Sequence, residues 1–234
     1  NICGMILERL LMKHNTRPAV IFDMDGTLWD ASSQIVISWN RTIDRFPQIW
    51  EEITLKRLQA ELGKPMDAIA TSLFPWLSYE RAVALMDICA EDENRYLAAH
   101  GAVLYDGLED TLKLLEGEYD LYIVSNCQKG YIEAFLEYYH FEKYFRDIEC
   151  YGNTLQGKSF NIRRLMERNH IDRAIYVGDT QGDADASDKA GIPFIYASYG
   201  FGRVNKESVF GEIHRLAELP GVLKTWQKGQ QDRG

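Results

Sequence analysis

The 234 residues are 46% hydrophobic and 12% aromatic, enough apolar material to bury a substantial core and to exclude a disordered chain. A formal net charge of -9 argues against nucleic acid or an anionic membrane as the main partner, yet a small anionic substrate stays open, because one divalent ion or lysine reverses the sign locally. The cysteines (Cys3, Cys89, Cys127, Cys150) form no Cys-x-x-Cys pair and the histidines show no zinc-binding spacing, which points to a reducing, cytoplasmic setting without zinc chemistry.

At the start, Ile6, Leu7, Leu10 and Leu11 recur at helical spacing among charged residues. They predict a short amphipathic helix, too charged to span a bilayer, or an extension ahead of a start at Met12. Pro18 then favours extended chain into an apolar run, Ala19 to Phe22, short enough to be a buried strand. That run breaks abruptly into Asp23-Met24-Asp25-Gly26-Thr27. Two carboxylates one residue apart repel unless a cation or donors sit between them, so this strand end is expected to hold a metal ion. In open α/β sheets, ligands bind beyond the carboxyl ends of the strands.

From about residue 31 to about residue 100 the chain reads as helix upon helix, with no convincing strand. Ile35, Ile37, Trp39, Ile43 and Phe46 mark a first helix ending near Pro47; a second runs from Thr54 to Leu62 and is closed by Gly63. A third starts at Pro65 and stops at Pro75. The fourth follows Ser78, with Ala82, Leu85, Met86 and Cys89 at i, i+3, i+4 and i+7. Trp39, Trp50 and Trp76 are either packing residues or pocket walls.

From Gly101 onward strands and helices alternate. Leu108, Leu112 and Leu115 mark a helix; Leu121 to Val124 is a strand ending in Ser125-Asn126; Ile132, Phe135 and Leu136 mark the next helix. The segment from Phe145 to Cys150 is ambiguous between strand and loop. Ile162 and Leu165 mark a helix, Ala174 to Val177 a strand ending in Gly178-Asp179, and a further helix is closed by Gly191. Phe194 to Tyr196 reads as the final strand, and the tail after Pro220 as a helix fraying into the last glycines. Apolar strands alternating with helices predict an α/β fold, a doubly wound parallel sheet with both faces covered.

Three strand ends thus carry polar groups: Asp23, Asp25 and Thr27; Ser125 and Asn126; Asp179 and Asp183. In this order they resemble the motifs of haloacid dehalogenase superfamily phosphatases. Asp23-Met24-Asp25-Gly26-Thr27-Leu28 is similar to the first motif, Ser125 to the second, Lys158 to the third, and Gly178-Asp179-Thr180-Gln181-Gly182-Asp183 to the fourth. The resemblance runs from about residue 17 to about residue 203. It implies a Rossmann-like core from residues 1–30 and 101–234, with residues 31–100 as a small helical cap inserted after the first strand.

The residue types suit the roles the resemblance implies. Asp23 is the candidate nucleophile, able to form an aspartyl-phosphate and split one hard step into two. Asp25 is the candidate general acid and then base, a role that needs a raised pKa. Thr27, Ser125 and Asn126 donate to the phosphoryl oxygens, and Lys158 neutralises them, with Lys129 and Lys143 as competing lysines. Mg²⁺ suits a site of few carboxylates plus substrate phosphate. Its expected ligands are Asp23, the Asp25 backbone carbonyl, and Asp179; Asp183 either completes the set or orients Lys158. In the cap, Gly63-Lys64-Pro65, with Arg57 and Arg41 behind it, is the candidate specificity turn: Lys64 either binds an anionic group on the substrate or is an exposed turn residue.

Taken together, the expectation is a Mg²⁺-dependent phosphatase of a small soluble phosphate monoester, phosphoglycolate- or sugar-phosphate-like. No nucleic acid or membrane is expected as partner, and the chain is expected to be a monomer or homodimer. A phosphosugar mutase is the nearest rival, although such mutases usually carry a Glu-Asp pair where this chain has Gly178-Asp179. A dehalogenase lacks the second carboxylate that Asp25 provides. A non-catalytic phospho-acceptor signalling domain needs neither Asp25 nor a cap.

Overall fold

The four residues of β1 (Ala19–Phe22) are completely buried, and their alternation sets the layers of the molecule. Val20 and Phe22 point into one hydrophobic cluster, Ala19 and Ile21 into a second on the opposite face. Such a strand has to be central, and in the computed structural model, which describes residues 17–50 and 52–231, it is. The amphipathic helix expected around Leu7 and Leu10 lies outside these residues.

After β1 come β2 (Trp29–Asp30), α1 (Ser32–Ile43), α2 (Leu55–Gln59), α3 (Met66–Leu73), α4 (Tyr79–His100) and β3 (Val103–Leu104). Then follow α5 (Leu108–Leu115), β4 (Asp120–Ser125), α6 (Tyr131–Tyr139), β5 (Phe145–Cys150) and α7 (Tyr151–Thr154). The chain continues through α8 (Lys158–Arg168), β6 (Ala174–Gly178), α9 (Gln181–Ala190), β7 (Phe194–Ala197), β8 (Gly211–Ile213) and α10 (Leu219–Gln231). The main sheet is parallel in the order β5-β4-β1-β6-β7-β8. The α/β doubly wound reading therefore holds, and the carboxyl ends of β1, β4 and β6 meet along one edge.

Several elements differ from their sequence expectation. β8 extends the sheet beyond β7, the strand expected to be last; at three residues starting with a glycine it carries no alternation to read. β2 and β3 form a two-stranded antiparallel ribbon, where the chain leaves the sheet for the helical block and returns from it. The segment from Phe145 to Cys150 resolves as strand, since it pairs with β4 from Leu121 to Ser125. The third helix begins one residue late, because Pro65 has ψ 150 and caps the helix rather than entering it. The second is only five residues long, capped by the Thr54 side chain, and its last turns unwind before Gly63.

α4 is the spine of the helical block. Ser78 caps its start by accepting from the Arg81 backbone N–H, and Gly101 ends it with φ 63. Its buried stripe, Ala82, Leu85, Met86, Cys89, Glu93 and Leu97, packs against α1, α3 and α6. Five of those six residues are apolar; Glu93 is not. No helix among the described residues is long and apolar enough to cross a membrane.

Candidate active site

The site grows from the point where β1 runs out of apolar residues. The Asp23 N–H donates to the Val177 carbonyl at 2.9 Å, so the strand ladder carries this carboxylate to the sheet edge beside Asp179. Gly26 turns the chain immediately afterwards at φ 82, and a Cβ there would lie 2.2 Å from Asp179 Oδ2. Only glycine permits that approach of backbone to carboxylate. Met24 accepts the N–H groups of Thr27 and Leu28, which tightens the turn into a loop over the strand end.

Asp23, Asp179 and Asp183 are all buried, and each offers an oxygen within 4.8 Å of the others. The Lys158 ammonium lies between two of them, 2.8 Å from Asp23 Oδ1 and bonded to Asp183 Oδ1. Lys158 is the first residue of α8, and its side chain is almost wholly buried. Those two carboxylates hold its pKa well above the ordinary lysine value, against the opposing effect of burial. Lys129 is exposed, and the Lys143 ammonium sits over the Tyr144 ring, so neither competing lysine reaches the cluster.

Hydrogen bonding separates the three aspartates. Asp183 Oδ2 takes the Thr180 hydroxyl at 2.8 Å and the N–H groups of Thr180 and Asp179 at 3.0 and 3.2 Å, in a capping box that starts α9. With Oδ1 on Lys158, its acceptor positions are largely occupied, which favours the orienting role of the two read from the sequence. Asp179 differs: Oδ2 accepts from the Phe201 and Gly202 N–H groups at 2.7 and 3.1 Å, while Oδ1 is buried without a hydrogen-bond partner. An orphaned carboxylate oxygen costs free energy unless something fills its place. All-oxygen donors of this kind fit a hard cation such as Mg²⁺.

Burial raises Asp179 to about 8, with Asp183 and Asp23 adding to the effect and the two N–H groups opposing it. Burial also raises Asp23, to about 6, helped by Asp183 and restrained by Lys158. Asp25, two residues on, is pushed by burial to about 8, although Tyr131 donates its hydroxyl to Asp25 Oδ1 at 2.6 Å and works against the rise. Burial thus raises all three carboxyls, and the Lys158 ammonium restrains the rise at Asp23. Thr27 is buried and its hydroxyl has no partner among the described residues; Ser125 is buried at the end of β4. The Asn126 side-chain amide donates to the Gly63 carbonyl at 3.0 Å, joining the sheet edge to the helical block.

A cavity of about 40 Å³ lies over this edge, bounded by Asp23, Asp25, Ser125 and Asn126 below and by Trp39, Leu62 and Lys64 above. Of the three tryptophans singled out, only Trp39 lines it; Trp50 and Trp76 are exposed elsewhere. Lys64 reaches its rim, where the ammonium pairs with Glu61 at 2.8 Å. Arg57 is turned away to the Leu73 carbonyl and Arg41 stacks on Tyr96, so neither backs the turn as expected. Sequence reasoning missed Tyr131, Gln128 and Glu93, as well as the N–H pair of Phe201 and Gly202. Glu93 did leave a trace: it is a carboxylate on the apolar stripe of α4, where charged residues are rare without a purpose.

A profile of haloacid dehalogenase-like hydrolases matches residues 20–197. The chain is 26% identical over 221 residues to a phosphoglycolate phosphatase of Rhodobacter capsulatus, covering 89% of this chain and 98% of that protein. It is 24% identical over 213 residues to a 5'-nucleotidase of Pseudomonas aeruginosa, covering 88% and 93%. Among solved structures, a predicted phosphatase from Clostridium acetobutylicum is similar with a TM-score of 0.71 at 26% identity, covering 90% of this chain and 99% of that one. With the profile spanning both aspartate-bearing strand ends and everything between them, the chain belongs to the haloacid dehalogenase-like hydrolase family.

Proposed function

We propose that the protein is a Mg²⁺-dependent phosphatase that hydrolyses a small phosphate monoester, phosphoglycolate- or sugar-phosphate-like, through an aspartyl-phosphate on Asp23. The observation that carries this reading is the cluster at the strand ends: the Asp23 carboxylate held by Lys158, the Asp25 carboxyl two residues on held by the Tyr131 hydroxyl, and beside them the buried, unpartnered Oδ1 of Asp179.

In the first step an Asp23 carboxylate oxygen attacks phosphorus, the P–O ester bond breaks, and the Asp25 carboxyl proton passes to the departing oxygen. In the second step Asp25, now a carboxylate, takes a proton from a water that attacks the same phosphorus; inorganic phosphate leaves and Asp23 is restored. Thr27 and Ser125 offer hydroxyls to the phosphoryl oxygens, Asn126 a backbone N–H, and Lys158 a point charge. Tyr131 fixes the Asp25 carboxyl in position. Asp23, the Asp25 carbonyl and Asp179 would hold the ion, with Asp183 steering Lys158; once bound, Mg²⁺ supplies charge neutralisation at the phosphoryl oxygens.

Residues 31–100 act in this reading as a cap over a core of residues 1–30 and 101–234, excluding water before attack. Lys64 on the cap turn makes its contribution at the cavity rim, with its charge balanced by Glu61. The mutase alternative is disfavoured at Gly178, where a Cβ would fall 2.7 Å from the Asp183 carboxyl and a glutamate has no room. The test is hydrolysis of p-nitrophenyl phosphate with and without Mg²⁺. Turnover should require the ion and vanish in Asp23→Asn, while Asp25→Ala should accumulate a phosphoryl adduct visible by intact mass spectrometry. Undiminished turnover by Asp23→Asn would refute the nucleophile.

A further inference from the structure

The cavity over the aspartates is partly open to solvent, and its upper wall is unequal in chemistry. Ile35, Leu58, Leu62, Met66 and Ile69 make it apolar. Into that wall projects the Glu93 carboxylate, which is 2% exposed. Its Oε2 accepts from Trp39 Nε1 and its Oε1 from Gln128 Nε2 at 3.1 Å, so two donors from different elements hold it in place. Each carboxylate oxygen carries a second lone-pair site, and Glu93 therefore retains capacity for further donors. Its charge is felt at Asp25, the group that protonates the departing oxygen in the proposed mechanism. Asp25 and Glu93 line the same cavity, so an alcohol that takes its proton from Asp25 departs into space that Glu93 borders.

Positive charge is scarce on this wall. Among the described residues that line the cavity, Lys64 is the one cation, and Glu61 neutralises it at the rim. Beyond Met66 and Gln128 the cavity is continuous in lining with a wider cleft of about 610 Å³ between α3, α4 and α7. Its lining holds Asp67, Asp87 and Glu91 against a single lysine, Lys129, together with Tyr79 and Tyr151. A carboxylate on the departing group would meet like charge on both sides, whereas a donor would find acceptors.

We infer that Glu93 selects the substrate by its departing alcohol, accepting a hydrogen bond from a hydroxyl or ammonium group and turning away a carboxylate. This rests on the phosphatase reading and narrows it toward polyol, sugar or amino-alcohol phosphates and away from phosphoglycolate. A hydrogen bond to a charged group in such a site is worth roughly 10- to 100-fold in kcat/KM.

A matched two-carbon series tests it: 2-phosphoglycolate, ethyl phosphate, 2-hydroxyethyl phosphate and 2-aminoethyl phosphate, each with Mg²⁺. The hydroxyl or ammonium ester should exceed 2-phosphoglycolate by at least about tenfold in kcat/KM. Glu93→Gln, shown to be folded by its thermal melt, should shrink that ratio by a similar factor. The variant keeps a carbonyl acceptor, so a preference for ammonium should fall further than one for hydroxyl, which tells the two donors apart. A wild-type protein that turns over 2-phosphoglycolate as well as or better than the donor-bearing esters overturns the assignment without any variant. A ratio unmoved by Glu93→Gln overturns it too, leaving Glu93 as a structural tie between Trp39 and Gln128. Hydrolysis of p-nitrophenyl phosphate separates the two levels: if it occurs, a failed preference falls on Glu93 alone; if no ester is hydrolysed, the phosphatase reading fails and takes this inference with it.

Discussion

Replacing Glu93 by glutamine should make the protein more stable at pH 8 and less stable at pH 5. Burial raises the Glu93 carboxyl from 4.5 to about 7, outweighing the bonds from Gln128 and Trp39 that favour its ionised form. The folded chain therefore holds a proton that the unfolded chain releases between those two values. Stability associated with this group is complete below about pH 4.5, drains away as pH rises, and is gone above about pH 7. The interval from 4.5 to about 7 corresponds to about 3 kcal/mol, at roughly 1.4 kcal/mol per pH unit. Glutamine mimics the protonated acid and escapes this penalty, but it turns an amide toward Gln128 and loses one hydrogen bond, about 1 kcal/mol. The net gain at pH 8 is about 2 kcal/mol, or roughly 5 °C in Tm for a chain of this size. At pH 5 the penalty is small and the lost bond dominates, so the order of wild type and variant should cross between about pH 5 and 6. Urea and thermal melts followed by circular dichroism at pH 5, 6 and 8 measure this directly. A variant destabilised by the same amount at all three would refute the account of Glu93 as a carboxylate ionised at the expense of the fold.

Other perturbations report on the sheet edge. Lys158→Met strips the cation from two buried carboxylates and should cost about 3–5 kcal/mol, read as a fall of roughly 10 °C in Tm without added metal; an unchanged melt would contradict the arrangement. Gly26→Ala forces a Cβ into Asp179 and a left-handed backbone onto alanine, so activity should fall at least about 100-fold and stability by about 2 kcal/mol or more, checked by kinetics and melts together. Tyr131→Phe removes the hydroxyl that holds Asp25. It should lower kcat roughly tenfold while KM for p-nitrophenyl phosphate stays within about twofold; a change confined to KM would remove the positioning role. Asp23→Asn should lose turnover by roughly 1000-fold or more and keep a cooperative melt.

What could be read ahead of the structure followed how local each signal was. β1 and its aspartates were legible because a change of polarity over two residues needs no tertiary knowledge. α4 was legible because twenty-two residues give a period time to repeat and Ser78 announces its start. β8 and the β2–β3 ribbon were not, since strands of two or three residues are defined by their partners rather than by their own pattern. The same limit applies in the site. Lys158 could be separated from Lys129 and Lys143 only once α8 placed its first residue under the edge of the sheet. Nothing local singles out Tyr131 at the start of α6, and its hydroxyl acquires meaning only by landing on Asp25. Lys64, read as a candidate anion receptor, has its charge answered by Glu61, one turn back, a pairing visible in the chain but easily outweighed by the appeal of a free cation.

The smallness of the space above Asp23 has a kinetic corollary. A void of about 40 Å³ admits a few water molecules and nothing the size of a sugar phosphate. An ester that fills the site therefore displaces the helices from the strand tips, and the bond from the Asn126 amide to the Gly63 carbonyl ties the two sides of that boundary. Where that displacement is slower than the chemistry, it sets turnover. Added viscosogen should slow kcat for a good ester more than for a poor one, because only the good ester reacts fast enough to wait on the door.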